Sequence, residues 1–484
     1  MLKPDIEIIK QMSDDYNVIP VTKEFYADVI TPITLLRRIA GISKRYFLLE
    51  SVEGGEKWGR YSFLGFDPIM RITCKAHTVS MEQDGITKTI TAANPLEVVR
   101  EILSRYRVPQ EKEGAPFKGG FVGYFAYSMI GYAEPKLTIS SEGNDMDLML
   151  FEKVIAYDHL KQKIAITVHM HTDKPEENYR RAETEINQIA GLLNSEQPLP
   201  QMEKPIVSEF HCNFSKEEYC DVVERTKAYI RDGDIFQAVI SRRFEADYQG
   251  SLINAYRILR TTNPSPYMVY FRIDDTEIMS TSPETLVRLQ NGRLYTFPVA
   301  GSRPRGKTDA EDKALEQGLL KDEKELSEHN MLVDLGRNDL GRISRFGSVE
   351  VTQYQMIHRY SRIMHICSQV EGDIRPDCDG LDAVSSVLPA GTLSGAPKIR
   401  ACEIIQELER CPRGIYGGAL GYMDFSGNLD TCIAIRMAVK KADRVYVQAG
   451  GGIVADSVGE NEYAESYHKA LAVMDAVRRS AEIG

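Results

Sequence analysis

Glu462 and Glu465, in "ENEYAESYHK", stand three residues apart in a run with helical spacing, so their carboxylates project from one face of a helix. Glu325 and Glu328, in "KELSEHN", repeat the arrangement. Paired carboxylates suit a hard cation such as Mg2+, which binds through few protein carboxylates and keeps waters for an anionic substrate. A solvated acidic face has the same spacing. The first pair follows "QAGGGIVADS", where Gly450, Gly451 and Gly452 let backbone amides approach a carboxylate or phosphate, or simply form a tight strand exit. A second glycine-rich turn, "LPAGTLSGAPK", offers the hydroxyls of Thr392 and Ser394 ahead of a helix. Arg436 lies in the apolar, strand-like run "TCIAIRMAV", and a buried arginine needs a structural acid or a substrate carboxylate. "IYGGALGYMD" contributes Tyr416, and "RIMHICSQVEG" contributes His365, a core histidine or an acid–base group.

One stretch imitates a different chemistry. "GSRPRGKT", Gly301 to Thr308, fits the phosphate-loop pattern G-x-x-x-x-G-K-S/T. A phosphate loop offers helix N-terminal amides to a triphosphate. Here the first turn carries Asp309, Glu311 and Asp312, which repel such a ligand and suit an unliganded helix start. The loop reads as a glycine turn bearing Arg303, Arg305 and Lys307.

These residues must be positioned by a mixed, α+β set of elements. "RYFLLES", "GRYSFLG", "IMRITCKAHTVSMEQDGITKTITA" and "LMLFEKVIAYDHLKQKIAITVHMH" predict strands, the last a hairpin turning near Asp158 and His159. "KPEENYRRAETEINQIAGLLNS" has helical spacing, and the polar, proline-bearing "SEQPLPQMEKPIVSE" predicts a boundary near residue 205. Beyond it, Ser215 and Glu218 form a capping-box pattern. Strands "PYMVYFRI", "RLYTFPVA" and "RVYVQAGGGIV" then alternate with helices over "EDKALEQGLLKDEKELSEHNMLVDL" and "NEYAESYHKALAVMDAVRRSA".

The 484 residues, 43% hydrophobic and 27% charged, have an ordinary globular composition. A formal net charge of -11 argues against general nucleic-acid binding. The N-terminus lacks a signal peptide's apolar core, no apolar run is long enough to span a membrane, and the eight cysteines form no C-x-x-C pair. A cytoplasmic enzyme is the expectation.

Together these stretches resemble the chorismate-utilising enzymes, the anthranilate-forming members above all. "LLESVEGGEKWGRYSFLGFDP", "TNPSPYMVYF", "SPE", "PVAGSRPRG", "ELSEHNMLVDLGRNDLGR", "LPAGTLSGAPK", "RGIYGGALGYMDFSGNLDT" and "GGGIVADSVGENEYAES" stand in the family's order, from about Tyr46 to the C-terminus. The resemblance implies a large antiparallel-sheet, chorismate-binding fold with helices packed outside. It implies a tryptophan-binding regulatory part at 1–205 and a catalytic part at 206–484.

By the same resemblance, Glu328 and Glu465 hold Mg2+, with Glu462 close by, and the metal holds the ring carboxylate. Tyr416, Arg436 and the amides of Gly450, Gly451 and Gly452 hold the other carboxylate, and Gly301 and Ser302 line the pocket. Glu284 is the acid for the C4 hydroxyl, and Thr392 and His365 complete the site. Tryptophan is expected at Leu49, Glu50, Ser51, Pro266, Tyr267 and Met268. The implied lyase reaction is the first committed step of tryptophan biosynthesis.

Relatives that use water carry a lysine where "IFQAVISRR" has Gln237. Relatives that make aminodeoxychorismate, the alternative product, commonly carry one where "PVAGS" has Ala300. Ser302 replaces the usual threonine, and "DSVGENEY" lacks the usual proline. No cysteine sits in a G-x-C-x-G turn, so use of glutamine implies a separate amidotransferase subunit, in a heterotetramer.

Overall fold

The computed structural model describes residues 2–28, 30–51, 59–110, 114–359 and 363–483. Residues 52–58, within the first family-like stretch, lie outside these. The strands form two large antiparallel sheets, of 13 and 12 strands among the described residues. At the centre of the first, Arg45–Glu50, Tyr267–Ile273, Thr276–Ser282, Met437–Lys441, Arg444–Ile453 and Gln237–Gln249 pair in that order. At the centre of the second, Val299–Pro304, Ile363–Asp373, Arg293–Thr296, Thr285–Gln290, Leu429–Ile433, Ala419–Asp424, Gly120–Phe125 and Met146–Phe151 do the same. Each sheet draws strands from both sides of residue 205.

The period-two alternation of strand side chains explains how the sheets stack. In Arg45–Glu50 and Tyr267–Ile273, Phe47, Leu49, Val269 and Phe271 point one way, into a cluster shared with Val122, Met149, Leu420 and Cys432 of the second sheet. Tyr46, Leu48, Met268 and Tyr270 point the other way, under helices Pro32–Ala40, Pro175–Leu193, Ile253–Thr262 and Gly459–Arg479. Helices Pro95–Leu103, Glu323–Gly341 and Gly380–Val387 cover the outer face of the second sheet. The result is a face-to-face sandwich with helices packed outside. The expected α+β class and helix placement are as observed.

The capping box at Ser215 forms, opening helix Lys216–Arg231. Two expectations need correction. The run read as one helix after Thr308 is two, Asp309–Leu319 and Glu323–Gly341, because the Asp322 side chain accepts from the amides of Lys324 and Glu325 and starts a new helix. The run "TCIAIRMAV" is not one strand. It ends at Ile433 in the second sheet and resumes at Met437 in the first, with Arg436 between at φ +49.

Candidate active site

The chain passes between the sheets twice at one place. Thr276–Ser282 belongs to the first sheet and Thr285–Gln290 to the second, and Ile433 to Met437 makes the return crossing alongside. The crossings are stitched together: the Ile433 amide donates to the Glu284 carbonyl (3.0 Å), the Thr281 amide to the Arg436 carbonyl (3.1 Å), and the Ser280 hydroxyl to the Ile435 carbonyl (2.8 Å). Glu284 thus sits on one crossing and Arg436 on the other. Protein surrounds the Glu284 carboxyl, and that burial pushes its pKa up to about 7, against the pull of a hydrogen bond from Thr392 Oγ1 to Oε1 (3.1 Å). A carboxylic acid that keeps its proton near neutrality is equipped to donate it.

Arg436 is largely buried, and no carboxylate forms an ion pair with it among the described residues; Nη1 donates to the Lys469 carbonyl (2.5 Å). Burial holds its pKa below the usual arginine value, with Tyr416 and Glu465 acting the other way. It opens onto a depression of about 390 Å³ shared with Asn461, Ala464, Glu465, His468 and Lys469. Tyr416 is 5% exposed. Its hydroxyl is pushed up to about 12 by burial, while Arg413, Arg436 and the Gly450 backbone pull it back. Beneath it, Arg413 is held by Glu409 (2.6 Å) and by the carbonyls of Leu393 and Val239, fixing the turn that carries Thr392.

Strand Val299–Pro304 forms the opposite wall. It bulges between Ala300 and Ser302, with Gly301 at φ +74. A side chain there would be strained and would crowd Ile366 and Glu325. His365 stands opposite Ser302, and its Nδ1 lies 3.2 Å from the Gly301 carbonyl. Burial lowers its pKa, and Arg436 lowers it further. It is therefore neutral at pH 7. The phosphate-loop imitation is filled from within. The amides of Gly306 and Lys307 donate to Asp312 Oδ1 and Glu311 Oε2 (both 2.8 Å), and Arg305 pairs with Asp312 (2.9 Å).

Backbone approach requires glycine at Gly450, while at Gly451 and Gly452 movable side-chain ends come close. A Cβ at Gly450 would meet the Ile240 carbonyl oxygen at 2.3 Å, at Gly451 Glu462 Oε2 at 2.9 Å, and at Gly452 Gln237 Nε2 at 2.1 Å. Glu462 and Glu465 approach Gly451 from helix Gly459–Arg479, and Glu328, on helix Glu323–Gly341, lies within electrostatic reach of Glu465 and Lys469. Burial first, and then neighbouring acids, raise Glu328 and Glu462: Glu325 and Glu465 act on the former, Glu465 on the latter. Lys469 Nζ lies 2.6 Å from Glu465 Oε1 and 3.2 Å from the Gly450 carbonyl. Among the described residues no three His, Cys, Asp or Glu side chains are gathered closely enough to hold a metal ion. Mg2+ does not require three, since it keeps waters and substrate oxygens. Carboxylates of like charge near one another fit a hard cation in donor type and charge.

The remaining expected residues meet elsewhere. Leu49, Glu50, Ser51, Pro266, Tyr267 and Met268 all line one cavity of about 990 Å³. Glu50 is buried and fully engaged, by Ser62 (3.2 Å), Tyr256 (2.8 Å) and Arg260 (3.0 Å). Tyr267 Oη lies 2.7 Å from Asp430 Oδ1 and 2.9 Å from Thr285 Oγ1, beside Glu284.

Sequence reasoning missed Lys469 and Arg413. Lys469 was legible, four residues after Glu465 on one helical face. Arg413 was not, because its partners at Leu393 and Val239 come together only in the fold.

"Anthranilate synthase component 1" of Acetivibrio thermocellus is 46% identical, over all of both chains. The protein of that name from Aquifex aeolicus (strain VF5) is 42% identical over 99% of each. The crystal structure of anthranilate synthase component I from Streptococcus pneumoniae TIGR4 superposes with a TM-score of 0.78 at 36% identity, covering 93% of this chain and 98% of that one. A menaquinone-specific isochorismate synthase from Escherichia coli shares the fold, with a TM-score of 0.72 at 17% identity over 98% of each chain. Residues 45–475 match the chorismate binding enzymes, and the chain belongs to that family.

Proposed function

We propose that this chain is a lyase that converts chorismate and ammonia to anthranilate, pyruvate and water, the entry into tryptophan biosynthesis. The observation that carries the reading is the Glu284 carboxyl, its pKa raised to about 7, hydrogen-bonded by Thr392 on the crossing beside an arginine without a carboxylate partner. Arg436, with Tyr416 and the amides of Gly450, Gly451 and Gly452, binds one substrate carboxylate. Glu328 and Glu465, with Glu462 alongside, hold Mg2+. When bound, the ion neutralises the ring carboxylate. Gly301 and Ser302 line the ring pocket. Glu284 gives its proton to the C4 hydroxyl, which leaves as water while ammonia adds at C2. Thr392 fixes the acid's orientation. Neutral His365, beside the Gly301 carbonyl, takes up a proton as the amine forms. Loss of the C2 proton then expels pyruvate, and aromatisation drives the step.

Ala300 and Gln237 bear on product choice. Neither supplies an amine nucleophile or a base for water, so free ammonia is the incoming group. A partner glutamine amidotransferase delivers it, in a heterotetramer. Tryptophan binds in the 990 Å³ cavity and inhibits. Residues 1–205 carry the regulatory role and 206–484 the catalytic one. No helix among the described residues is long and apolar enough to cross a membrane, and a cytoplasmic location accords with the pathway. Incubating the purified chain with chorismate, Mg2+ and ammonium should release anthranilate fluorescence. A major product that keeps its enolpyruvyl group, or a covalent adduct on the protein, would overturn the reading in favour of the aminodeoxychorismate and isochorismate chemistries.

A further inference from the structure

Strand Gln237–Gln249 turns Ala238, Ile240, Arg242, Phe244, Ala246 and Tyr248 to one face. All six are buried. Five are core residues, and the sixth, Arg242, is 0% exposed, the largest fully buried side chain among the described residues. An arginine at a position the pattern reserves for an apolar residue breaks the local rule, and such breaks mark sites under a functional demand. No carboxylate pairs with Arg242 among the described residues. Its guanidinium lies instead against aromatic faces, 3.7 Å from the Tyr463 ring centroid, 5.0 Å from Phe244 and 5.4 Å from Tyr219. Two of its donors grip one turn of one helix, Nε donating to Ser466 Oγ (2.9 Å) and Nη2 to the Tyr463 carbonyl, while Nη1 donates to Cys212 Sγ (3.8 Å).

Tyr463 and Ser466 alternate with Glu462 and Glu465 on helix Gly459–Arg479. Each gripped residue directly follows a glutamate, so the arginine clamps the back of the turn whose front presents the carboxylates to Gly451. The planar guanidinium fork spans both grips at once, which a lysine cannot do. We propose that Arg242 is a positioning residue that sets the height and rotation of this turn, and through it the placement of the Glu462 and Glu465 carboxylates and their affinity for a divalent cation. The cation part rests on the Mg2+ reading above; the placement part does not.

Two variants of the full chain test this: Arg242→Lys, which keeps the charge and loses the fork, and Ser466→Ala, which removes one grip and spares the core. Mn2+ serves as the probe, its binding read by the electron paramagnetic resonance of the free ion, alongside Mg2+ titration of turnover, thermal melting, and crystal structures of the variants. Outer partners of metal ligands typically change affinity by roughly 10–100-fold. For Arg242→Lys the expected result is a tenfold or greater weakening of Mn2+ binding, with kcat restored at saturating Mg2+ and Glu462 and Glu465 displaced from Gly451. Ser466→Ala should show the same changes in smaller measure. A lower melting temperature with the carboxylates in place and the Mn2+ constant unchanged would overturn the proposal and leave Arg242 a packing residue. If the parent binds no Mn2+ and needs no Mg2+, the metal reading falls. Positioning is then decided by the crystal structures alone: displaced carboxylates support it, and unmoved ones overturn it. If Arg242→Lys does not fold, Ser466→Ala decides in the same way.

Discussion

Thr392 donates a hydrogen bond to Glu284 across 3.1 Å, joining a turn of the second glycine-rich stretch to the point where the chain leaves one sheet for the other. The bond favours the carboxylate, while burial favours the acid and wins, leaving a pKa of about 7. As a proton donor Glu284 acts while protonated, so kcat/KM should fall as pH rises through about 7. Thr392→Val removes the opposing bond, and the fall should move to higher pH. A pH profile unchanged in Thr392→Val would deny Glu284 the role of acid.

The same shift predicts a stability effect. The folded pKa of Glu284 lies above its ordinary value of 4.5, so the folded state binds the proton more tightly. That contribution is fully present below pH 4.5 and is lost as pH rises through 7. Glu284→Gln cannot ionise. It should therefore melt higher than the parent at pH 8, by on the order of 1–3 kcal/mol, with no advantage at pH 4.5, and it should be inactive throughout. Melting curves at the two pH values check this.

Glu328→Gln and Glu465→Gln each remove a charge that balances a cation. Loss of several kcal/mol of charge stabilisation corresponds to a fall of roughly 10²–10³-fold in kcat/KM, with circular dichroism unchanged. Chelation of divalent ions should silence the parent in the same way. Near-normal turnover in Glu465→Gln would sink the metal assignment.

Arg436 has no carboxylate partner among the described residues, and on the proposed reading it takes one from the substrate. Arg436→Lys loses the bidentate grip, and KM for chorismate should rise about 100-fold, in line with the 2–5 kcal/mol that breaking a buried charge pair costs. An unchanged KM would mean that the second carboxylate binds elsewhere.

Legibility in the sequence divides along chain distance. Glu462 with Glu465, and the run Gly450 to Gly452, announce themselves locally. So do the acids of the false phosphate loop, which the fold uses to occupy Gly306 and Lys307. The break before Glu323 was also readable, since Asp322 with Glu325 repeats the capping pattern recognised at Ser215. Glu284 was not locally legible. Nothing in "SPE" marks an acid with a raised pKa; Thr392 and Ile433, which hydrogen-bond to it, lie more than a hundred residues away along the chain. Arg436 misled for a related reason. Both flanking strands are apolar, and composition does not reveal that they belong to different sheets.

The proposed inhibition by tryptophan supplies a further test. Ser51→Phe fills the cavity edge and should blunt inhibition while sparing turnover. Thr285→Val removes the contact that links Tyr267 to the neighbour of Glu284. It should leave tryptophan binding within about threefold by calorimetry and raise the inhibitory concentration about tenfold, a coupling loss of ordinary size. Parent-like inhibition in both variants would place the effector elsewhere.

The sharing of both sheets between the two halves of the chain bears on how the protein is made. On the ribosome, Arg45–Glu50 and Gly120–Phe125 emerge early, yet their partners Tyr267–Ile273 and Ala419–Asp424 come much later. At roughly 5–20 residues per second, both strands wait on the order of ten seconds or more with apolar faces and unpaired amides exposed. The first 205 residues should therefore fail as a free-standing fragment and precipitate when expressed alone. The nascent chain needs shielding until its last third has been translated, and overexpression should favour inclusion bodies unless synthesis is slowed or chaperones are raised.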